Sequence, residues 1–328
     1  MAFFGIRFDF RNPAFAGTTM TARYRAGLDM VEWADRLGFV ALVLSEHHGS
    51  PDGYLPSPLV MAAAMAARTK AIRISISAVV APLHDPIRLA EDAAVVDLIS
   101  GGRLDLVLAN GYVADEFAMF GVAMSERVAR VGAAVETLRD AWRGEPFQHN
   151  GRATHVTPAP ERDDGPKLTL GGSTPSAARR AARVGDGFSP SMPELWEHYR
   201  DARIAAGEVD PGPYFGVALG NFHLAEDVER GWDEVGRYFM HETNAYGKWM
   251  TDAGLPGMYV PATDVDELRS RGMYRVITPD QMVDELQAAG PFAFALFHPM
   301  LGGIPPESAW RALELFEHEV LPRLSDGR

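Results

Sequence analysis

Residues Ile72–Tyr112 read IRISISAVVAPLHDPIRLAEDAAVVDLISGGRLDLVLANGY. Two short β-rich runs, Ile72 to Val80 and Arg103 to Ala109, flank a helical segment that starts at Asp85-Pro86 and runs to about Ile99. Proline suits the first turn of a helix, where no backbone N–H is needed. A strand, a helix and a second strand in so short a span predict a βα repeat and a parallel sheet.

Working outward, the alternation continues in both directions. Toward the N-terminus lie a strand at Phe3 to Phe10, a helix from about Thr21 to Leu37, a strand at Phe39 to Ser45 and a helix from Ser57-Pro58 to about Arg68. Leu28, Val31, Ala34 and Leu37 recur every three residues along the first helix, and Gly38 ends it. Toward the C-terminus, the predicted strands are Lys167–Leu170, Gly187–Pro190, Tyr214–Leu224 and Phe292–Phe297. Helices are predicted at about Glu126–Trp142, Pro175–Val184, Pro193–Ala206, Asp227–Tyr246 and Glu307–Leu324. Two segments, 144–166 after the fourth strand and 247–278 after the seventh, exceed ordinary connections and read as insertions. Eight strands alternating with eight helices fit a doubly wound sheet or a closed barrel. Closure leaves no exposed edge strand, so the expectation is a single (β/α)8 TIM barrel over residues 1–328.

Bulk properties narrow the function. The chain has 44 acidic and 31 basic residues among 328, a formal charge of −13. Nucleic-acid binding needs clustered positive charge, so no nucleic-acid partner is expected. There is no cysteine, which removes disulfides and thiolate chemistry. The apolar start, Met1 to Phe10, contains Arg7 and Asp9, unlike a signal peptide. The longest apolar run, Leu59 to Ala67, is far short of the about 20 residues of a membrane span. A cytoplasmic protein without a membrane partner is expected.

In a TIM barrel, chemistry sits at the C-terminal ends of strands. The second strand ends in Ser45-Glu46-His47-His48. This cluster offers a base near neutral pH. Adjacent histidines point in different directions and the chain has no H-E-x-x-H motif, so no metal is expected; the bland alternative is a histidine that only hydrogen-bonds. The fifth strand ends in Gly171-Gly172-Ser173-Thr174-Pro175-Ser176. Its glycines admit close backbone approach, its hydroxyls and the helix N-terminus suit a phosphate, and the alternative is a plain N-cap at Ser173 or Thr174. Asn110-Gly111 ends the fourth strand and reads equally as a turn. Arg179, Arg180 and Arg183 read as a solvated face. Phe239, Tyr246, Trp249 and Tyr259 either roof a pocket or pack in a core.

Taken in order, SEHH, VVAPLHDPIRLAEDAAVVD (Val79–Asp97), GGRLDLVLANGY and LGGSTPSAARRAARVGDGF resemble the bacterial luciferase-like flavin-dependent monooxygenases, over about residues 3–320. The Pro-x-x-x-Pro-x-Arg-x-x-Glu-Asp pattern in the second stretch is the most specific part. The resemblance implies a reduced flavin at the barrel mouth that reacts with oxygen through a C4a-peroxyflavin. It makes His47 the candidate acid/base, Glu46 a second catalytic residue, and His48 with Tyr246 and Trp249 part of the substrate pocket. It puts a non-prolyl cis peptide at Ser77-Ala78 beneath the flavin, a phosphate seat at Gly172, Ser173 and Ser176, and an acidic group near the flavin at Glu116. Asn110 stands where bacterial luciferase has a phosphate-binding arginine, a departure from the pattern.

The resulting expectation is a two-component monooxygenase. It takes FMNH2 from a separate flavin reductase, uses O2 and forms a homodimer. The late insertion, with Tyr246, Trp249, Leu255, Met258 and Tyr259, suggests a small hydrophobic substrate such as an aldehyde or terpenoid. The rivals are a deazaflavin-dependent oxidoreductase that transfers hydride, and a barrel that binds flavin without turnover.

Overall fold

The structure is a computed structural model that describes residues 2–255 and 259–325. Met258 lies outside the described residues. In chain order the strands are β1 (Phe3–Phe8), β2 (Ala41–Leu44), β3 (Arg73–Val80), β4 (Leu104–Ala109), β5 (Phe147–His149), β6 (Arg152–Thr154), β7 (Lys167–Gly172), β8 (Gly187–Pro190), β9 (Phe222–Leu224), β10 (Arg275–Ile277) and β11 (Phe294–Phe297). The helices are α1 (Met20–Arg36), α2 (Pro58–Arg68), α3 (Pro86–Ser100), α4 (Ala114–Phe120), α5 (Arg127–Trp142), α6 (Pro175–Val184), α7 (Leu195–Ala205), α8 (Val228–Asp252), α9 (Val265–Ser270), α10 (Pro279–Ala288), α11 (Pro306–Leu315) and α12 (Leu321–Ser325). The fold is α/β. The chain divides into two compact units, one of residues 1–43, 48–56 and 217–328, the other of residues 44–47 and 57–216.

In the second unit, β3, β4, β7 and β8 lie side by side in that order, all parallel. The Ile72–Tyr112 stretch forms the expected β3–α3–β4 unit. Asp85 caps α3 by accepting from the N–H groups of Ile87 and Arg88, Pro86 occupies the first turn, and Gly101 closes the helix in the left-handed region at φ 65°. The buried Arg103 ties this unit together. Its guanidinium donates to the carbonyls of Ser100, Ile72, Ala66 and Thr69, satisfying backbone groups around the ends of α2 and α3. The insertion after β4 contains a small hairpin, β5–β6.

In the first unit, β1 pairs in parallel with β11, from Phe3 opposite Phe294 to Ile6 opposite Phe297. Phe4, Phe39, Phe297 and Phe316 pack as an aromatic core, with ring centroids 4.8–5.7 Å apart for the contacts to Phe316. Here the expected seventh strand fails. Of Tyr214–Leu224, only Leu219 bridges Ala295, while Phe222–Leu224 pairs with β10 instead. Gly216, Gly220 and Asn221, the last at φ 49°, interrupt the run. Phe215 is 75% exposed, so this stretch lacks the buried faces of a central strand. The late insertion also differs from its expected bounds. α8 extends to Asp252, and α10 was not anticipated, although Thr278 and Gln281 form a capping box around Pro279.

Candidate functional site

In the second unit, the expected residues cluster at the C-terminal tips of β3, β4 and β7 together with Ser45–His47. Ser45 Oγ donates to the carbonyl of Ser77 at 2.9 Å. The Ser77-Ala78 bond is cis, and the β3–β4 register slips between Ser77 and Val79. His47, 8% exposed, has its Nδ1 2.7 Å from Oε1 of Glu116, which lies in the first turn of α4 and is itself buried. A carboxylate on one ring nitrogen sets the imidazole's orientation. The Tyr112 ring stands edge-on to His47 at 5.9 Å.

Glu46 points elsewhere. Its Oε2 accepts from the Val80 N–H at 2.7 Å, and its Oε1 is 2.7 Å from His84 Nε2. Burial alone would lower the proton affinity of His84, but the Glu46 contact and charge outweigh it and raise its pKa. His84 was not singled out from the sequence. Its only signal was its place next to the Asp85-Pro86 helix start.

At the tip of β7, Thr174 is the N-cap of α6, accepting from the Ala177 N–H. Ser173 and Ser176 are exposed, and the Thr174 and Ser176 hydroxyls are 3.0 Å apart. A Cβ on Gly172 would sit 2.5 Å from Ala177 Cβ, so only glycine fits between the strand and the helix. Asn110 Oδ1, at the tip of β4, is buried with no hydrogen-bond partner. Arg179 and Arg183 are exposed as expected, whereas Arg180 is half-buried with its Nε unpartnered.

In the first unit, Tyr246 and Trp249 of α8 and the expected Tyr259 join a box whose other members, Arg7, Arg11 and Tyr54, were not foreseen. The Tyr246 hydroxyl is 2.8 Å from that of Tyr54 and 3.3 Å from Arg7 Nη2. Tyr246 stacks on Tyr259 at 4.6 Å. The Arg11 guanidinium lies 4.7 Å from the Tyr54 ring centre and 5.0 Å from those of Tyr246 and Trp249. Burial raises the pKa of the Tyr246 phenol, which stays a neutral donor. His48 is half-buried in this unit. A cavity of about 360 Å³, lined among others by His223, Arg230, Arg311 and His318, contains none of the residues expected from the sequence. No described helix is long and apolar enough to cross a membrane.

The profile of the luciferase-like monooxygenases matches residues 3–292. A Sinorhizobium fredii protein is 32% identical over 174 residues, and the chain spans about half of its length, 51%. The oxygenase component of a flavin-dependent trigonelline monooxygenase from Acinetobacter baylyi is 24% identical, with 94% of this chain and 92% of that protein aligned. An F420-dependent glucose-6-phosphate dehydrogenase from Nocardia farcinica is 22% identical over 90% of this chain and 93% of its own. Among solved structures, monooxygenase RslO1 from Streptomyces bottropensis superposes with a TM-score of 0.76 at 28% identity, covering 98% of this chain and 99% of its own. The oxygenating constituent of 3,6-diketocamphane monooxygenase from Pseudomonas putida, solved in complex with FMN, gives 0.72 at 20% identity, with 98% of both chains covered. With the profile spanning most of its length and βα units carrying the motif residues at their strand tips, this chain belongs to the luciferase-like monooxygenase family.

Proposed function

We propose that the protein is the oxygenase of a two-component, FMN-dependent monooxygenase acting on a small hydrophobic organic substrate. The observation that carries this reading is the His47–Glu116 pair, 2.7 Å apart, in the same unit as the Gly172–Ser176 turn. The residues suit a flavin. Asn110 Oδ1 is a buried acceptor lacking a donor, and the Gly172 turn leads into a helix N-terminus with two exposed hydroxyls. Ser173, Ser176 and the first N–H groups of α6 would hold the phosphate, and Ser77, Ala78 and Asn110 would line the ring. Reduced FMN, when bound, supplies the two electrons that send one oxygen of O2 to the substrate and the other to water.

His47 then acts as the acid/base, with Glu116 holding Nδ1 so that Nε2 takes and gives the proton. Glu46 is a positioning residue in this reading. By holding Val80 and His84 it fixes the backbone that leads into His47. His48, Tyr246 and Trp249 belong to the substrate wall. Tyr54, Arg7 and Arg11 give that wall a polar component beyond the apolar surface first expected. The reading takes the chain as one (β/α)8 domain, cytoplasmic and homodimeric, supplied with FMNH2 by a separate reductase.

A deazaflavin-dependent oxidoreductase is the second reading, favoured by the F420-dependent relative. Titrations of the protein with FMN, FMNH2 and coenzyme F420, followed by absorbance and fluorescence, separate the two. Tight binding of FMNH2 and weak binding of F420 is the expected result; the reverse sinks the monooxygenase assignment. A protein that binds FMNH2 yet gives no product from O2 with any substrate screened would be the flavin-binding barrel without turnover.

A further inference from the structure

Arg7, Asp9 and Arg11 place three charges in and just after β1, an element whose neighbours are apolar. Asp9 directly follows β1 and His298 directly follows β11. The two strands are parallel, so both residues emerge at the same end, and His298 Nε2 lies 3.4 Å from Asp9 Oδ2. α8 brings a third group from its buried face, which carries Tyr238, Phe239, Glu242 and Tyr246. His298 Nδ1 is 4.0 Å from Glu242 Oε1. Gly302 permits this approach. It has φ +59°, and a Cβ there would lie 2.1 Å from the Tyr238 carbonyl oxygen and 3.3 Å from Glu242 Cβ.

Asp9, Glu242 and His298 are 0, 1 and 4% exposed. Both ring nitrogens of His298, Asp9 Oδ2 and Glu242 Oε2 lack a well-formed hydrogen bond. The surrounding charges are mostly committed. Arg11 Nη1 binds Asp52 at 2.5 Å, and Arg11 Nε stands 3.7 Å from Asp9. His241 and Ser50 also serve Asp52. Arg23 donates to the carbonyls of Met300, Gly303 and Ile304. Arg7 reaches Tyr246. Among the described residues no lysine or arginine forms an ion pair with Glu242.

We propose that Glu242, in a buried site formed with Asp9 and His298, is held as the neutral acid while Asp9 stays an anion. Losing that proton would leave two buried carboxylates converging on one side chain, away from water, which is strongly unfavourable. Burial, then the nearby Asp9, raise the proton affinity of Glu242, while His298, Arg7 and Arg11 offset part of this. Burial would raise Asp9 too, but His298 and Arg11 outweigh it and hold Asp9 low. The phenols of Tyr246, Tyr259 and Tyr274 remain neutral because burial raises their pKa values.

The same three side chains have donor atoms within 4.8 Å of one another, as a metal site requires. His298 offers a different nitrogen to each carboxylate, however, so the three do not converge on one ion. Glu242 precedes Tyr246 by one helical turn, so a neutral Glu242 lets α8 dock against the tips of β1 and β11 and holds the aromatic box in place.

The folded state therefore binds this proton more tightly than the unfolded chain. Its stabilisation is complete below the ordinary glutamate value of about 4.3 and is lost as pH rises through the raised value of Glu242. Infrared difference spectra of the wild type and Glu242→Gln at neutral pH test the site without any flavin. A protonated-carboxyl C=O stretch in the wild type, absent from the variant, is the expected result. Melting temperatures should show the wild type losing ground to Glu242→Gln as pH rises, by about 2 °C or more. No such stretch in the wild type, or a stretch that survives the substitution, overturns the proposal. So does a Glu242→Gln chain that fails to fold, because glutamine mimics the neutral acid. A melting point raised by Zn2+ or Mn2+ in the wild type but not in Glu242→Gln would replace the proton with a metal.

Discussion

Glu46→Gln tests the geometry beside His47 most directly. In the wild type, Glu46 accepts from the Val80 N–H and contacts His84 Nε2, each at 2.7 Å. Glutamine keeps one oxygen for Val80 and places an NH2 against His84. The loss is the charge on the His84 contact, and a hydrogen bond to a charged group contributes about 1.5–3 kcal/mol. His84 is mostly buried, so solvent screening removes little of this. The pKa of His84 is raised in the folded state, chiefly by Glu46 working against desolvation. A raised histidine contributes its full stability below the unfolded value of about 6.5 and loses it as pH rises through the folded value. Glu46→Gln should therefore cost about 2 kcal/mol at about pH 5.5, a fall in melting temperature of about 3 °C for a chain of this size. Above the folded value the ion pair is gone in both proteins, and the gap should narrow to about 1 kcal/mol or less. Thermal unfolding followed by circular dichroism across this range, with the His84 ring resonances titrated by NMR, measures both. A gap that stays constant with pH, or a variant more stable than the wild type in acid, refutes the Glu46–His84 ion pair.

Three further outcomes are expected. His47→Ala should lower product formation by about 10²–10⁴-fold and Glu116→Gln by a smaller factor, with FMNH2 affinity little changed in either; an unchanged product yield in His47→Ala removes it from the chemistry. Gly302→Ala should destabilise the fold by about 2–4 kcal/mol in urea unfolding, because the new Cβ meets the Tyr238 carbonyl at a positive φ; wild-type stability would mean α8 does not approach the 298–303 turn so closely. Burial depresses His223 to about 4, so its contribution is complete above the unfolded value of about 6.5 and is lost as pH falls toward 4. His223→Asn should flatten that acid decline by about 3 kcal/mol, and identical acid melting curves for the two proteins would show that His223 is not desolvated.

The Ile72–Tyr112 segment was legible because its signals are local. Short β-rich runs and an Asp-Pro helix start act within a few residues, and each is present in the folded unit. Of the residues at the strand tips, the histidine cluster and the Gly172–Ser176 turn were legible from their place after strands, whereas Ser77-Ala78 and Glu116 were legible only through the resemblance. His47 and Glu116 are 69 positions apart, and nothing in their spacing foretells a 2.7 Å contact. The seventh strand failed because a run rich in β-formers does not reveal whether glycines and a positive φ will turn it toward another partner. The charges of β1 were visible from the start but meaningless there. Composition and local pattern determined an α/β chain with βα repeats, an acidic charge and a histidine cluster after the second strand. Only the tertiary structure decided that Glu46 clasps Val80 and His84, that Arg11 lies among three aromatic rings, and that Asp9, Glu242 and His298 converge. Local propensity acts over a few bonds, whereas the cost of burying a charge depends on which distant groups the fold places around it.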